Sequence, residues 1–376
     1  MILNQKAFTS WREIESAISK LKTTKEKGDA FEFFAHAFFS IFSKTYNLKN
    51  VYMFKDIPKK ITNQYRLENK DNGVDGIIIT NDEKVIAYQV KFRSDNTYAN
   101  YSELSTFWAE SEYCDGRCIF SNSFELPKQA GKKKNQFTIL LNTLLELEED
   151  FFFQLYNFFT KSTSIEFTKF KPLPHQDTII KNTISGFLSA DRGKIIAACG
   201  TGKTLTSLWI HEAIKSKATL FIVPSLALIK QTMNQWVRHS NIDFHFICVC
   251  SDMTMVDDVD DEIIIEKTSS LSFPVTTDPK DIKNFLLSDG NKVVFSTYHS
   301  LDCIVNGINE ISDFSFDFAI FDEAHRTAGT KDSDMFVFAM DDEYIPIKKR
   351  LFMTATERVV SPRIKTMLKE IGRAHV

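Results

Sequence analysis

Ala197-Ala198-Cys199-Gly200-Thr201-Gly202-Lys203-Thr204 lies between an apolar run, Lys194-Ile195-Ile196, and a helical pattern through Leu205, Leu208, Trp209 and Ile210. A strand, a glycine-bearing loop and a helix start, in that order, make an anion cradle. Loop N–H groups and the helix dipole converge on a phosphate. The pattern predicts that Gly200, Thr201 and Gly202 wrap the phosphates of a nucleoside triphosphate, that Lys203 reaches the terminal phosphates, and that Thr204 offers its hydroxyl to Mg²⁺. The first position of the usual G-x-x-x-x-G-K-[ST] pattern is Ala197.

A chain organised around such a loop needs a sheet to hold it, and strand-like runs recur downstream. They cover 218–223, 244–250, 293–298, 316–321 and 351–353, with helical patterns between them. That alternation predicts a parallel, doubly wound sheet with its ligand at the C-terminal strand ends. Asp322-Glu323 follows four apolar residues at one such end, where Asp322 is expected to hold Mg²⁺ and Glu323 to polarise the attacking water. Upstream, Lys171-Pro172-Leu173-Pro174-His175-Gln176 opens a helix. The Gln176 amide, which both donates and accepts, suits an adenine edge. The acidic stretch 252–266 reads as an insertion loop that avoids DNA.

Several of these strings together resemble the motifs of superfamily-two helicases and translocases of the DEAD/DEAH type, many of which share the alanine at the loop's first position. The strings are 197–204, Pro224-Ser225, Ser296-Thr297-Tyr298, Asp322-Glu323-Ala324-His325 and Thr354-Ala355-Thr356. The finer strings Val223-Pro224-Ser225-Leu226-Ala227-Leu228, Val249-Cys250-Ser251-Asp252 and Asp322 through Gly329 resemble the ATPase lobes of type III restriction subunits and of the single-chain type ISP restriction–modification enzymes. The resemblance implies ATP-driven movement on double-stranded DNA. By the same carry-over, Thr354 and Thr356 couple nucleotide state to movement, Ser225, Ser296 and Thr297 face the DNA, and His325 links the ATP site to a partner lobe.

At 376 residues the chain has room for a second domain before this lobe. A capping box at Ser10 and Glu13 starts a first helix with the stripe Trp11, Ile14, Ile18 and Leu21. A second helix over about 25–42 carries phenylalanines at 31, 33, 34, 38, 39 and 42, with Glu32 embedded among them. A strand at 51–57 follows. Then Asp75-Gly76-Ile77-Ile78-Ile79 and Val85-Ile86-Ala87-Tyr88-Gln89-Val90-Lys91, joined by Asn81-Asp82-Glu83-Lys84, read as a hairpin. Asp75 opens one strand, and Gln89 and Lys91 share a face of its neighbour. A carboxylate, an amide carbonyl and an ammonium at a strand end can hold Mg²⁺ and orient water against a phosphodiester. Glu32 could add a ligand. With a helix over 101–111 and a strand over 117–121 behind it, the arrangement resembles the Mrr-like branch of the PD-(D/E)xK nucleases, in which Gln replaces the second carboxylate.

The fold class expected is therefore α/β, with a restriction-endonuclease-like domain before one RecA-like lobe. The boundaries read as 1–125 for the nuclease domain, 126–168 for a linker and helical connector, 169–369 for the first lobe only, and 370–376 for an artefactual tail. The formal net charge of −3 argues against global basicity, so DNA contacts must be local. Six cysteines without paired spacing read as reduced thiols, no run is long enough to span a bilayer, and the expected location is the cytoplasm. Only twenty residues follow Thr356, so a second RecA-like lobe with its arginine finger, and methyltransferase and target-recognition regions, are expected to lie elsewhere on a longer chain. The function implied is that of the N-terminal part of an ATP-dependent DNA translocase with a metal-dependent endonuclease, a restriction or antiphage enzyme. The alternative is a DNA-binding, regulatory or repair helicase module whose nuclease fold is inert.

Overall fold

The computed structural model describes residues 3, 7–67, 73–128, 130, 133, 135–160, 169–250, 274–323 and 339–355. The sequence-derived expectations for His325, Thr356, the acidic stretch and the tail fall outside those residues. Residues 1–169 belong to one compact unit, and residues 170–251 with those from 277 onward to a second.

In the first unit a five-stranded sheet runs β1 (Leu48–Met53), β2 (Gly76–Thr80), β3 (Val85–Lys91), β4 (Gly116–Ser121) and β5 (Gln136–Ile139), in that spatial order. The β1–β2 and β2–β3 pairs are antiparallel, while β3–β4 and β4–β5 are parallel. Helix α1 (Trp11–Ser19) is not capped by Ser10. Glu13 instead turns back to accept the Thr9 N–H and hydroxyl, each at 3.2 Å. Helix α2 (Thr24–Ile41) opens with a complete capping box between Thr23 and Glu26. It buries Phe31, Phe34, Phe38 and Phe39, all of which meet Phe120 of β4 edge-on at ring separations of 5.3 to 6.1 Å. On the opposite face, α4 (Tyr101–Glu110) packs Leu104, Phe107 and Trp108 on Ile77, Ile79, Val85 and Ala87.

The segment read as a connector is part of this unit. β5 completes the sheet in register with β4, and α6 (Glu149–Thr160) buries Phe151, Phe152 and Leu155. Phe151 stacks on Phe42 at 5.2 Å and tilts against Phe38, which closes the aromatic core over α2. The Leu- and Phe-rich composition that suggested bridging helices is a core face.

The second unit holds a parallel six-stranded sheet. Its strands are β6 (Arg192–Ile196), β7 (Ala218–Val223), β8 (His245–Val249), β9 (Lys292–Thr297), β10 (Phe318–Phe321) and β11 (Arg350–Thr354), ordered β6-β11-β10-β7-β9-β8. Alternation along β7 decides the layers. Leu220 and Ile222 join α10 (Pro279–Leu287) and α11 (Leu301–Ile308) on one face. Phe221 turns to the other, 5.2 Å from Trp236 on α9 (Leu226–His239). α8 (Lys203–Ile214) and α7 (Pro174–Gly186) extend that layer. The doubly wound sheet expected from the sequence is the one observed.

His211, on α8, is 1% exposed, and its Nδ1 lies 2.9 Å from the Thr219 hydroxyl. Burial lowers its pKa to about 4 from 6.5. Between those values the unfolded chain binds a proton that the folded chain refuses, so stability is present above pH 6.5 and is lost as pH falls. The loss expected by pH 4 is roughly 3 kcal/mol at ~1.4 kcal/mol per pH unit. Urea unfolding of the wild type and His211→Asn at pH 7 and pH 4.5 tests it; equal losses would discount the histidine.

Candidate functional sites

In the second unit β6 ends in the loop 197–202, and α8 begins at Lys203 with Gly202 as its N-cap. Gly200 and Gly202 have φ of +81° and +77°, the left-handed region that favours glycine. A side chain at Gly202 would in addition stand 2.4 Å from Gln176 Nε2. The amide of Gln176 is largely committed within the protein: Oε1 accepts the Leu173 N–H at 2.8 Å and Nε2 donates to the Thr201 carbonyl at 3.0 Å. Gln176, the residue singled out for reading adenine, thus bridges the start of α7 and the phosphate loop.

Two further bonds fix the loop that the sequence did not reveal. The Ala197 N–H donates to the Thr354 carbonyl at 3.0 Å, tying the loop to the end of β11. Trp236 Nε1 donates to the Thr204 carbonyl at 3.1 Å, holding the first turn of α8. Lys203 Nζ donates to the Ala197 carbonyl at 3.1 Å and lies 3.7 Å from Glu323 Oε1. Asp322, at the end of β10, is 7% exposed and accepts the Glu323 N–H at 3.0 Å. Its carboxyl is pushed up to about 6, chiefly by burial and then by the Glu323 charge beside it. Glu323 itself takes φ of +48°, rare for a side-chain-bearing residue and often found at functional turns. The Tyr298 hydroxyl donates to the Asp322 carbonyl at 3.0 Å, so the β9 end braces the β10 end. Lys203, Asp322 and Glu323 therefore meet at the C-terminal edge of the sheet. A buried carboxylate strained by its like-charged neighbour is a donor set that a divalent cation would relieve, and the Thr204 hydroxyl begins the adjoining helix.

The remaining motif hydroxyls are turned inward. Ser296 is 0% exposed and donates to the Thr297 carbonyl at 3.0 Å, while the Thr297 hydroxyl pairs with that of Ser300 at 3.1 Å. Both hydroxyls, expected from the sequence to face DNA, are thus engaged within the turn after β9 and buried. Ser225 caps α9, accepting the Leu228 N–H at 3.4 Å, and Thr354 is buried at the end of β11.

In the first unit Asp75 precedes β2, and its N–H donates to the Tyr88 carbonyl at 3.0 Å. This sets Asp75 opposite Gln89 and on the face that packs α4, the face shared by Lys91. Gly76 must be glycine here, because a Cβ would lie 2.2 Å from the Tyr88 hydroxyl and 2.3 Å from the Tyr52 carbonyl. Asp75 Oδ2 accepts the Val90 N–H at 2.5 Å, which aims the carboxylate along β3. Gln89 is 2% exposed and its Oε1 is buried without a hydrogen-bond partner among the described residues. An orphaned carbonyl oxygen beside a carboxylate fits a hard divalent cation. Glu32 arrives from α2 on the other layer of the sheet. Burial raises the Tyr88 hydroxyl far above its ordinary value, and the Asp75 and Glu32 charges add to the shift.

Residues 169–358 match the family model described as "Type III restriction enzyme, res subunit", and residues 43–150 match "Restriction endonuclease". A probable helicase, A859L, of African swine fever virus (isolate Tick/South Africa/Pretoriuskop Pr4/1996) is 26% identical over 239 residues, which are 63% of this chain and 25% of that protein. The same protein from isolate Pig/Kenya/KEN-50/1950 is 28% identical over 167 residues, 44% of this chain and 17% of the relative. Among solved structures, the ATP-dependent type ISP restriction–modification enzyme LlaBIII bound to DNA superposes with a TM-score of 0.75 at 25% identity, covering 93% of this chain and 22% of that one. The chain thus spans a quarter or less of the length of these relatives.

Proposed function

The chain belongs to the family of the type III restriction enzyme res subunit, and on that premise we propose that it is the N-terminal part of an ATP-dependent translocase on double-stranded DNA that carries its own metal-dependent endonuclease. Its helicase-type ATPase unit and its endonuclease-like unit are each family features. The observation that carries the motor reading is the meeting of Lys203 with Glu323 at 3.7 Å beside the buried Asp322.

In this reading Gly200, Thr201 and Gly202 present N–H groups to the phosphates, and Lys203 exchanges its protein partners for the terminal phosphate oxygens. Asp322 and Thr204 would hold Mg²⁺, which when bound neutralises charge on the transferred phosphoryl group. Glu323 orients the attacking water and takes its proton. Because the Ala197 N–H is bonded to the Thr354 carbonyl, a shift of the loop pulls directly on the end of β11. That bond gives Thr354 a physical means of coupling nucleotide state to movement; by family resemblance Thr356 shares that role and His325 links the ATP site to the partner lobe. In the first unit Asp75 and Gln89, with Glu32 from the other layer, would hold the nuclease Mg²⁺, and Lys91 would face the scissile phosphate. The domain limits proposed are 1–125, 126–168 and 169–369, with β5 and α6 of the middle segment packed into the first unit. Restriction or defence against phage is the biological setting proposed.

Such a lobe needs a partner lobe to neutralise transition-state charge with an arginine, a contribution of about 10³- to 10⁵-fold in related phosphoryl-transfer enzymes. The 376-residue chain is therefore expected to bind Mg–ATP but to release phosphate only slowly, with little stimulation by DNA. A phosphate-release assay with and without duplex measures this. Brisk DNA-stimulated turnover by the chain alone would defeat the partner-lobe argument, and absent Mg–ATP binding would defeat the motor reading itself.

A further inference from the structure

The first unit contains a cavity of about 630 Å³ that no part of the nuclease site described above uses. It opens where β3 ends. The strand runs from Lys91 directly into its wall, through Phe92, Arg93 and Ser94, and Lys27 of α2 and Tyr98 also line it. Arg93 lies two residues beyond Lys91, about 7 Å along an extended strand. Glu103, also in the wall, reports the same closeness. Its partial burial would raise its carboxyl, but the Arg93 bond, the Asn100 N–H and the charges of Arg93 and Lys91 prevail and hold it low.

The wall is preformed. Asn122 is 0% exposed, and its side chain accepts the Arg93 N–H at 2.8 Å and donates to the Arg93 carbonyl at 2.7 Å. The same Nδ2 donates to Glu15 at 3.0 Å, and Asn96 Nδ2 donates to that Glu15 oxygen at 2.9 Å and to the Asn122 carbonyl at 3.1 Å. A buried amide thus replaces the lost strand pairing and pins the loop 93–96.

The wall carries two cations, Lys27 and Arg93, and two carboxylates, Asp95 and Glu103. Arg93 is paired with Glu103. Lys27 Nζ has only the neutral Ser94 hydroxyl, at 3.1 Å, as a hydrogen-bond acceptor among the described residues. Tyr98 leaves 49% of its surface exposed. An ammonium with no carboxylate in bonding distance among the described residues, hydroxyls beside it and an exposed aromatic ring, along an open cleft, match a phosphate and a base.

We propose that this cavity seats the nucleotide adjoining the scissile phosphodiester of the strand to be cut, with its phosphate on Lys27 and its base stacked on Tyr98. The proposal rests on the nuclease reading of Asp75, Gln89 and Lys91 and names the substrate subsite beside them. Lys27 and Tyr98 are positioning residues that touch substrate without entering the chemistry.

The test uses the full chain. A DNA duplex carrying 4-thiothymidine at successive positions is irradiated with Ca²⁺ present, and the cross-linked peptides are mapped. Attachment within 92–98, lost in Tyr98→Ala, is expected; cross-links confined to residues beyond 170 overturn the proposal. In nicking assays Lys27→Ala and Tyr98→Ala should each raise KM about tenfold, as stacking and phosphate contacts do, with kcat held within about twofold. Tyr98→Phe should restore KM. Wild-type KM in both alanine variants also overturns the subsite while leaving the nuclease reading intact. If the wild type does not nick DNA, the nuclease reading fails separately and the cross-link map alone decides the subsite.

Discussion

Lys203→Ala is expected to weaken Mg–ATP binding by on the order of 10²-fold, with little change in the thermal stability of the nucleotide-free chain. Without nucleotide the ammonium is held only by protein groups. It sits between the Ala197 carbonyl at 3.1 Å and the Glu323 carboxylate at 3.7 Å, with its side chain 10% exposed. Neither contact is short for a charged pair, so the folded protein loses little when they go. A phosphate would offer shorter, doubly charged partners, and truncating one side of such a pair costs about 2–5 kcal/mol. At ~1.4 kcal/mol per decade this is roughly 30- to 4000-fold in affinity. Removing the cation also leaves Glu323 facing the phosphates without its partner ammonium. Arginine is not expected to rescue, because its planar fork cannot occupy the space of a point charge. Titration with a fluorescent, slowly hydrolysed ATP analogue reads the effect. Undiminished affinity would show that the loop 197–202 is not the nucleotide site.

Legibility in the sequence followed the range of the interactions. The phosphate loop, the Asp322-Glu323 turn and the Asp75 hairpin could be read because each is a local pattern: a strand, a turn and a few residues at fixed spacing. What could not be read was who answers whom across the fold. Gln176 has the chemistry to read a base, but nothing in its spacing announced that its Oε1 accepts the Leu173 N–H and its Nε2 donates to the Thr201 carbonyl. Ser296 and Thr297 look like surface hydroxyls in a list of motifs, yet each is satisfied within its own turn. β5 was missed because four residues without clear alternation carry little signal, and its parallel partner lies some twenty residues back. Arg350 shows the same limit. Its guanidinium is 2% exposed and donates to the carbonyls of Ala339 and Ile347, a structural role that a basic residue at the start of a strand does not announce. Asn122, which pins the Arg93 backbone, had no pattern at all.

Asp75→Ala and Lys91→Ala are each expected to abolish metal-dependent nicking, by about 10²- to 10⁴-fold if several kcal/mol of charge stabilisation are lost at 1.36 kcal/mol per decade. The two variants should part company in calorimetry. Asp75 is 9% exposed and faces Gln89, whose Oε1 is buried and unpartnered, so Asp75→Ala should abolish the heat of Mn²⁺ binding while Lys91→Ala retains it. One complication is structural: Asp75 Oδ2 also accepts the Val90 N–H at 2.5 Å, and alanine would leave that donor buried without a partner. Asp75→Asn separates the two effects. It keeps an acceptor oxygen for Val90 but removes the negative charge, so it should preserve stability and still lose metal and nicking. If Asp75→Asn bound Mn²⁺ as the wild type does, the pair would be a structural cap rather than a metal site. Wild-type nicking by both alanine variants would remove the nuclease assignment altogether. A wild type that binds no metal would make this unit an inert fold, and the motor would then have to act on DNA without cutting it.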